Sequence, residues 1–100
     1  IRAVELSQLP AQSFDVIINA TSSGLHGDTI QINDEILRAA KAVYDMQYDR
    51  QKGTPFLARC GALGVQNRSD GFGMLLAQAA HAFHLWRGVM PNITPLFEQL

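Results

Sequence analysis

The chain alternates between short apolar runs and amphipathic stretches. Residues 15–20, DVIINA, and residues 42–46, AVYDM, are nearly continuous apolar runs, and each closes on a polar loop. A run apolar on both faces is what a parallel strand buried between layers requires. Residues 2–6, RAVEL, read as a further short strand, and residues 65–67 as another. Helix signals lie between and after them. Asn33 is placed to cap a short helix over 33–39. Thr54 caps and Pro55 opens a helix over 54–63, which Gly64 stops. The longest helix is predicted from Asp70 to Gly88, DGFGMLLAQAAHAFHLWRG, with Asp70 as its N-cap. A last short helix falls within residues 91–100, with Pro95 near its start. Residues 7–14 read as a connection holding one helical turn.

Strands that alternate with helices argue for an α/β layer with parallel strands. Three to four mostly parallel strands with flanking helices fit into the chain. That is about half of a doubly wound sheet, whose other half would lie upstream. Ile1 stands directly against a strand-like stretch, which carries the expectation that the chain is cut from a longer protein.

Composition narrows the function classes. The chain has 100 residues, 47% hydrophobic and 17% charged, which suits one small folded domain rather than disorder. The net charge is -1 and no basic stripe is present, so neither a nucleic-acid surface nor an anionic-membrane anchor has electrostatic support. No apolar run reaches the roughly 20 residues that a membrane-spanning helix needs. Cys60 is the single cysteine, which excludes an internal disulfide and fits a reducing, cytoplasmic location.

Candidate chemistry concentrates in two places. The first is the carboxyl ends of the two apolar strands, where ligands bind in open α/β sheets. Asn19, Thr21 and Ser22 lie at the carboxyl end of the first strand; ordinary turn chemistry is the competing reading for all three, and is favoured for Asn19. Met46 and Tyr48 sit at the carboxyl end of the second strand two residues apart, so strand geometry points them to the same side if the strand continues that far. Asp45, just before them, faces away or caps the strand end. The second place is the start of the long helix. Gly71, Met74 and Gln78 share one stripe at i, i+3 and i+7. Phe72, Leu75, Leu76, Ala79, Phe83 and Trp86 fill a different, broader stripe that reads as core, with Phe83 and Trp86 anchoring the helix to the sheet. Gly71 allows a ligand close to the backbone, and Gln78 offers both a donor and an acceptor. His81 and His84 are three apart on the helix, but with His26 they make no convincing metal set. Cys60 reads as buried and unreactive.

Four blocks in order resemble shikimate dehydrogenase: FDVIINATSSG at 14–24, VYDMQY at 43–48, TPFLARC at 54–60 and DGFGMLLAQAAHAFHLWRG at 70–88. The resemblance implies NADPH-dependent reduction of 3-dehydroshikimate to shikimate, in aromatic amino-acid biosynthesis. It implies that residues 1–100 form the C-terminal half of a Rossmann-like NADP-binding domain plus closing C-terminal helices. By the same resemblance, Thr21, Ser22, Met46, Gly71 and Met74 lie at NADP, and Tyr48 and Gln78 at the substrate.

The family's catalytic Lys and Asp belong to an N-terminal domain and have no matching motif here. Its glycine-rich phosphate loop and the basic loop that reads the NADP 2′-phosphate are absent too, and no G-x-G-x-x-G occurs. No catalytic residue is therefore expected in the chain, which alone should be inactive. Its expected partners are the small-molecule substrate and the missing N-terminal domain, and its open sheet edge should favour self-association. Two alternatives stand: an NAD-using quinate/shikimate dehydrogenase, and a non-catalytic α/β binding or interaction module.

Overall fold

The computed structural model describes residues 2–23 and 29–98. The chain divides into two compact units, residues up to Asp70 and residues from Gly71 on.

The first unit is a three-stranded parallel sheet with helical connections. Its elements run β1 (Val16–Asn19), α1 (Asp34–Arg38), β2 (Ala42–Asp45), α2 (Pro55–Ala62) and β3 (Arg68–Asp70), and the strand order is β1-β2-β3. β1 and β2 pair from Val16↔Ala42 to Asn19↔Asp45, and β2 and β3 from Val43↔Arg68 to Asp45↔Asp70. The strand ends therefore stand level, with Asn19, Asp45 and Asp70 in one row. This is the α/β layering expected from the alternation of runs.

The helix caps follow local chemistry. Asn33 accepts the Glu35 N–H at 2.8 Å, and the Thr54 hydroxyl accepts the Leu57 N–H at 3.2 Å. Pro55 occupies the first turn of α2, where its missing N–H costs nothing. Gly64, with φ +93°, turns the chain beyond α2 in a conformation that L side chains avoid.

Leu37, Ala40, Val43, Phe56, Cys60 and Val65 form the buried core, with Ile17, Ile30, Ile32, Leu57 and Leu63 packed against it. Arg59 closes one side of this core. Its guanidinium donates to Asp34 Oδ1 at 2.7 and 3.0 Å, to the Ile30 carbonyl at 2.7 Å, and to the Ile32 carbonyl. One side chain on α2 thereby straps down the segment that leads into α1.

Four expectations for this unit are corrected. Residues 2–6 form no strand. Arg2–Glu5 are irregular and Leu6–Gln8 make a 3-10 turn, because a strand needs a ladder and no neighbour among the described residues supplies one. The strand expected at 65–67 lies at 68–70 instead. Val65 spends its N–H on the Cys60 carbonyl at 3.0 Å, in the turn that ends α2, and the ladder starts only where Val43 N–H reaches the Asn67 carbonyl at 3.0 Å. β1 is not covered on both faces: Val16 is 57% and Ile18 60% exposed. Met46, placed within the second strand by its apolar neighbours, lies in a bend just past it.

The second unit consists of α3 (Phe72–Arg87) and α4 (Thr94–Phe97). α3 ends as expected, with Gly88 at φ 72° closing it through its N–H on the His84 carbonyl. It begins differently. Asp70 is the last residue of β3, in register with Asp45, and the N-cap is Gly71, without a side-chain cap bond. The proposed core stripe is also corrected. Ala80 is the buried side chain of α3, whereas Trp86 is 84% exposed, and Leu75, Ala79 and Phe83 are exposed too.

Candidate functional site

The carboxyl ends of β1 and β2 carry two copies of one local device. Asn19, the last residue of β1, accepts the N–H of Thr21 on Oδ1 at 3.1 Å. Asp45, the last residue of β2, accepts the N–H of Gln47 on Oδ1 at 3.1 Å. Each is an Asx turn, in which a short polar side chain bonds the backbone two residues on and bends it away from the strand. Because Asn19 and Asp45 are register partners, the two turns stand side by side.

Cross-links join them. Asn19 Nδ2 approaches Asp45 Oδ1 at 3.5 Å, Met46 N–H donates to the Asn19 carbonyl at 3.0 Å, and Gln47 Nε2 donates to the Thr21 carbonyl at 3.1 Å. The Thr21 hydroxyl adds bonds to Asn19 Oδ1 at 2.7 Å and Ser23 Oγ at 2.9 Å. Asn19 is 2% and Asp45 0% exposed. The framework is thus buried while its neighbours are presented outward: Thr21 and Ser22 are exposed, as are Met46 and Tyr48.

The sequence-derived candidates fall into two groups, one per unit. Thr21, Ser22, Met46 and Tyr48 are gathered by the two strand ends. Gly71, Met74 and Gln78 lie along the first two turns of α3 on one stripe, with Gly71 buried, Met74 half-buried and Gln78 exposed. Asn19 has the structural role favoured for it, and Asp45 caps its strand end, one of its two expected placements. Gln47 was missed. Its signal is legible afterwards: IIN and VYD both close an apolar strand on an Asx residue.

Other groups take no part. Burial pushes the Cys60 thiol above its ordinary value, against smaller opposite effects of Arg59 and Arg68. A thiol held protonated is a poor nucleophile. Asp49 is shifted down, chiefly by the backbone N–H groups of Lys52 and Gln51, and it organises the loop after Tyr48. His81 and His84 are exposed on α3, and His26 lies outside the described residues. Among the described residues no three His, Cys, Asp or Glu side chains converge as a metal site, and no helix is long and apolar enough to cross a membrane.

Residues 71–96 match the family described as shikimate 5'-dehydrogenase C-terminal domain. The shikimate dehydrogenase (NADP(+)) of Pasteurella multocida is 70% identical over 99 residues, which is 99% of this chain and 37% of the relative. The chain belongs to the shikimate dehydrogenase family. It spans little more than a third of the length of the curated relatives it matches. Solved structures agree on the fold. An Ael1 enzyme from Pseudomonas putida superposes with a TM-score of 0.76 at 40% identity, over 89% of this chain and 32% of that one. A chorismate mutase/shikimate 5-dehydrogenase fusion protein from Clostridium acetobutylicum gives 0.70 at 28% identity, over 84% of this chain and 30% of that one. The three parallel strands with flanking helices are thus part of a Rossmann-like sheet like those of shikimate dehydrogenases.

Proposed function

We propose that this chain is the C-terminal half of the Rossmann-like domain, with its closing helices, of an NADP-dependent shikimate dehydrogenase that interconverts 3-dehydroshikimate and shikimate. The observation that carries the reading is the paired Asx framework, which presents Met46 and Tyr48 outward from level strand ends, in a chain 70% identical to an enzyme named for that activity.

The residues present fit a nicotinamide cofactor. Strand carboxyl ends are where open α/β sheets receive dinucleotides, and an exposed thioether beside them suits a flat ring face. NADP(H) would supply or accept the hydride. In this reading Met46 seats the nicotinamide ring, Thr21 and Ser22 line the cofactor with backbone and hydroxyl groups, and Gly71 and Met74 give a close backbone approach at the start of α3. Tyr48 and Gln78 hold the substrate's hydroxyl or carboxylate groups, a phenol and an amide together offering donors and acceptors. The proton-transfer pair and the pyrophosphate-binding loop belong to the remainder of the protein, so these 100 residues alone turn over nothing. The exposed side of β1, unpaired among the described residues, is where that remainder continues the sheet.

The test is turnover by the full-length protein that carries this chain, read as loss of NADPH absorbance with 3-dehydroshikimate. Activity with NADPH well above that with NADH is expected. Preference for NADH would turn the assignment to the NAD-using quinate/shikimate class. No turnover with either cofactor would favour a binding module.

A further inference from the structure

We propose that Asp45 is a positioning residue: its buried carboxylate, braced by Asn19, sets the path of the chain after β2 and so the aim of Met46 and Tyr48. This rests on the reading of those two side chains given above.

A carboxylate at the end of a core strand is a costly choice. Asp45 is 0% exposed, and its Oδ2 has no hydrogen-bond partner among the described residues. Charged side chains are almost never fully buried unless paired, and an unsatisfied buried oxygen costs free energy. A β-branched residue would suit this strand position better. What Asp45 provides is its other oxygen. Oδ1 takes the Gln47 N–H at 3.1 Å and faces Asn19 Nδ2 at 3.5 Å.

Gln47 is in turn fastened by its own side chain to the Thr21 carbonyl at 3.1 Å, and Met46 N–H to the Asn19 carbonyl at 3.0 Å. The residue between Met46 and Tyr48 is therefore held at both its backbone and its side chain, while its two neighbours stay exposed. Fixing residue 47 fixes the directions in which 46 and 48 leave the chain. Sites lose binding when such supporting bonds are loosened, even if no contacting group changes.

The experiment measures equilibrium dissociation constants for shikimate and for NADP+, and melting temperature, in the full-length protein with D45A, D45N, Q47A, Y48F and the double variant D45A/Y48F. D45A is expected to weaken shikimate binding about tenfold. D45N keeps an acceptor for the Gln47 N–H and should recover most of that loss. In the Y48F background the D45A effect should shrink to about twofold or less, because the mis-aimed hydroxyl is already gone.

Fully additive losses, or a D45A protein with lowered melting temperature and unaltered shikimate affinity, would overturn the proposal. If D45A does not fold, Q47A decides: it cuts the exposed strap alone, and unchanged shikimate binding would overturn the proposal, whereas weakened binding supports it. Failure of the underlying reading looks different. Y48F with undiminished shikimate affinity removes Tyr48 from the substrate site, whereas weakened Y48F with unaffected D45A removes only the positioning role.

Discussion

Replacing Arg59 with methionine should loosen the fold without touching the candidate site. Methionine keeps most of the aliphatic stem while deleting the guanidinium. Four N–H donations are lost: two to Asp34 Oδ1, one to the Ile30 carbonyl and one to the Ile32 carbonyl. The two carbonyl bonds have a charged donor and are part-buried, worth about 1–1.5 kcal/mol each after water competes. The Asp34 pair counts for less, about 0.5 kcal/mol, because the Asp34 side chain is 55% exposed. The expected loss is therefore roughly 2–4 kcal/mol, or about 5–12 °C in melting temperature for a protein of 150 residues or more.

Thermal denaturation of the full-length R59M protein, followed by far-ultraviolet circular dichroism, measures this. Cofactor affinity at low temperature should stay near that of the parent, since Arg59 lies on α2 away from the strand ends. A melting temperature within about 1 °C of the parent would refute the reasoning, because the strap would then be a surface contact of the kind that adds little.

Three further outcomes are expected. Q78A should raise the KM for shikimate about tenfold or more with little change for NADP+, as follows from removing a group that binds one ligand only; an unaltered KM would take Gln78 off the substrate. Cys60 should react slowly with a thiol reagent in the native protein. Its upward shift also means that its share of stability is fully present below the ordinary thiol value of 9.0 and lost as pH rises above that value toward the folded one. Comparison of parent and C60A melting across pH 8–11 reads that difference, and equal slopes would contradict it. The isolated 100 residues should self-associate in sedimentation experiments through the open side of β1 and the exposed Leu85, Trp86 and Val89; a clean monomer at high concentration would count against that.

What was legible in the sequence was local. Asn33, Thr54, Pro55, Gly64 and Gly88 act within one turn of where they stand, so each could be recognised from its neighbours alone. The strands around Ile17 and Val43 were legible because apolar runs of that length have few other uses. What escaped reading depends on partners distant in sequence. RAVEL is strand-like but has no ladder to join among the described residues, and Asp70 reads as a cap although it ends β3 in register with Asp45 and the cap position falls on Gly71. The stripe through Phe83 and Trp86 has core spacing, yet both side chains are exposed. The candidate side chains at the strand ends were proposed from their place after the apolar runs and from family likeness; the period-two argument for Met46 and Tyr48 lapses, because β2 ends at Asp45. The buried framework beneath them was found in part, because a polar residue closing one strand looks ordinary until register sets a second beside it.

The most direct test of the account is a crystal structure of the full-length protein with NADP+ and shikimate bound. The Tyr48 hydroxyl and the Gln78 carboxamide should each lie within about 3.2 Å of a shikimate oxygen, and the Met46 side chain should touch the nicotinamide ring at about 4 Å. Shikimate bound with both groups turned away from it, or a nicotinamide seated elsewhere than over the ends of β1 and β2, would contradict it.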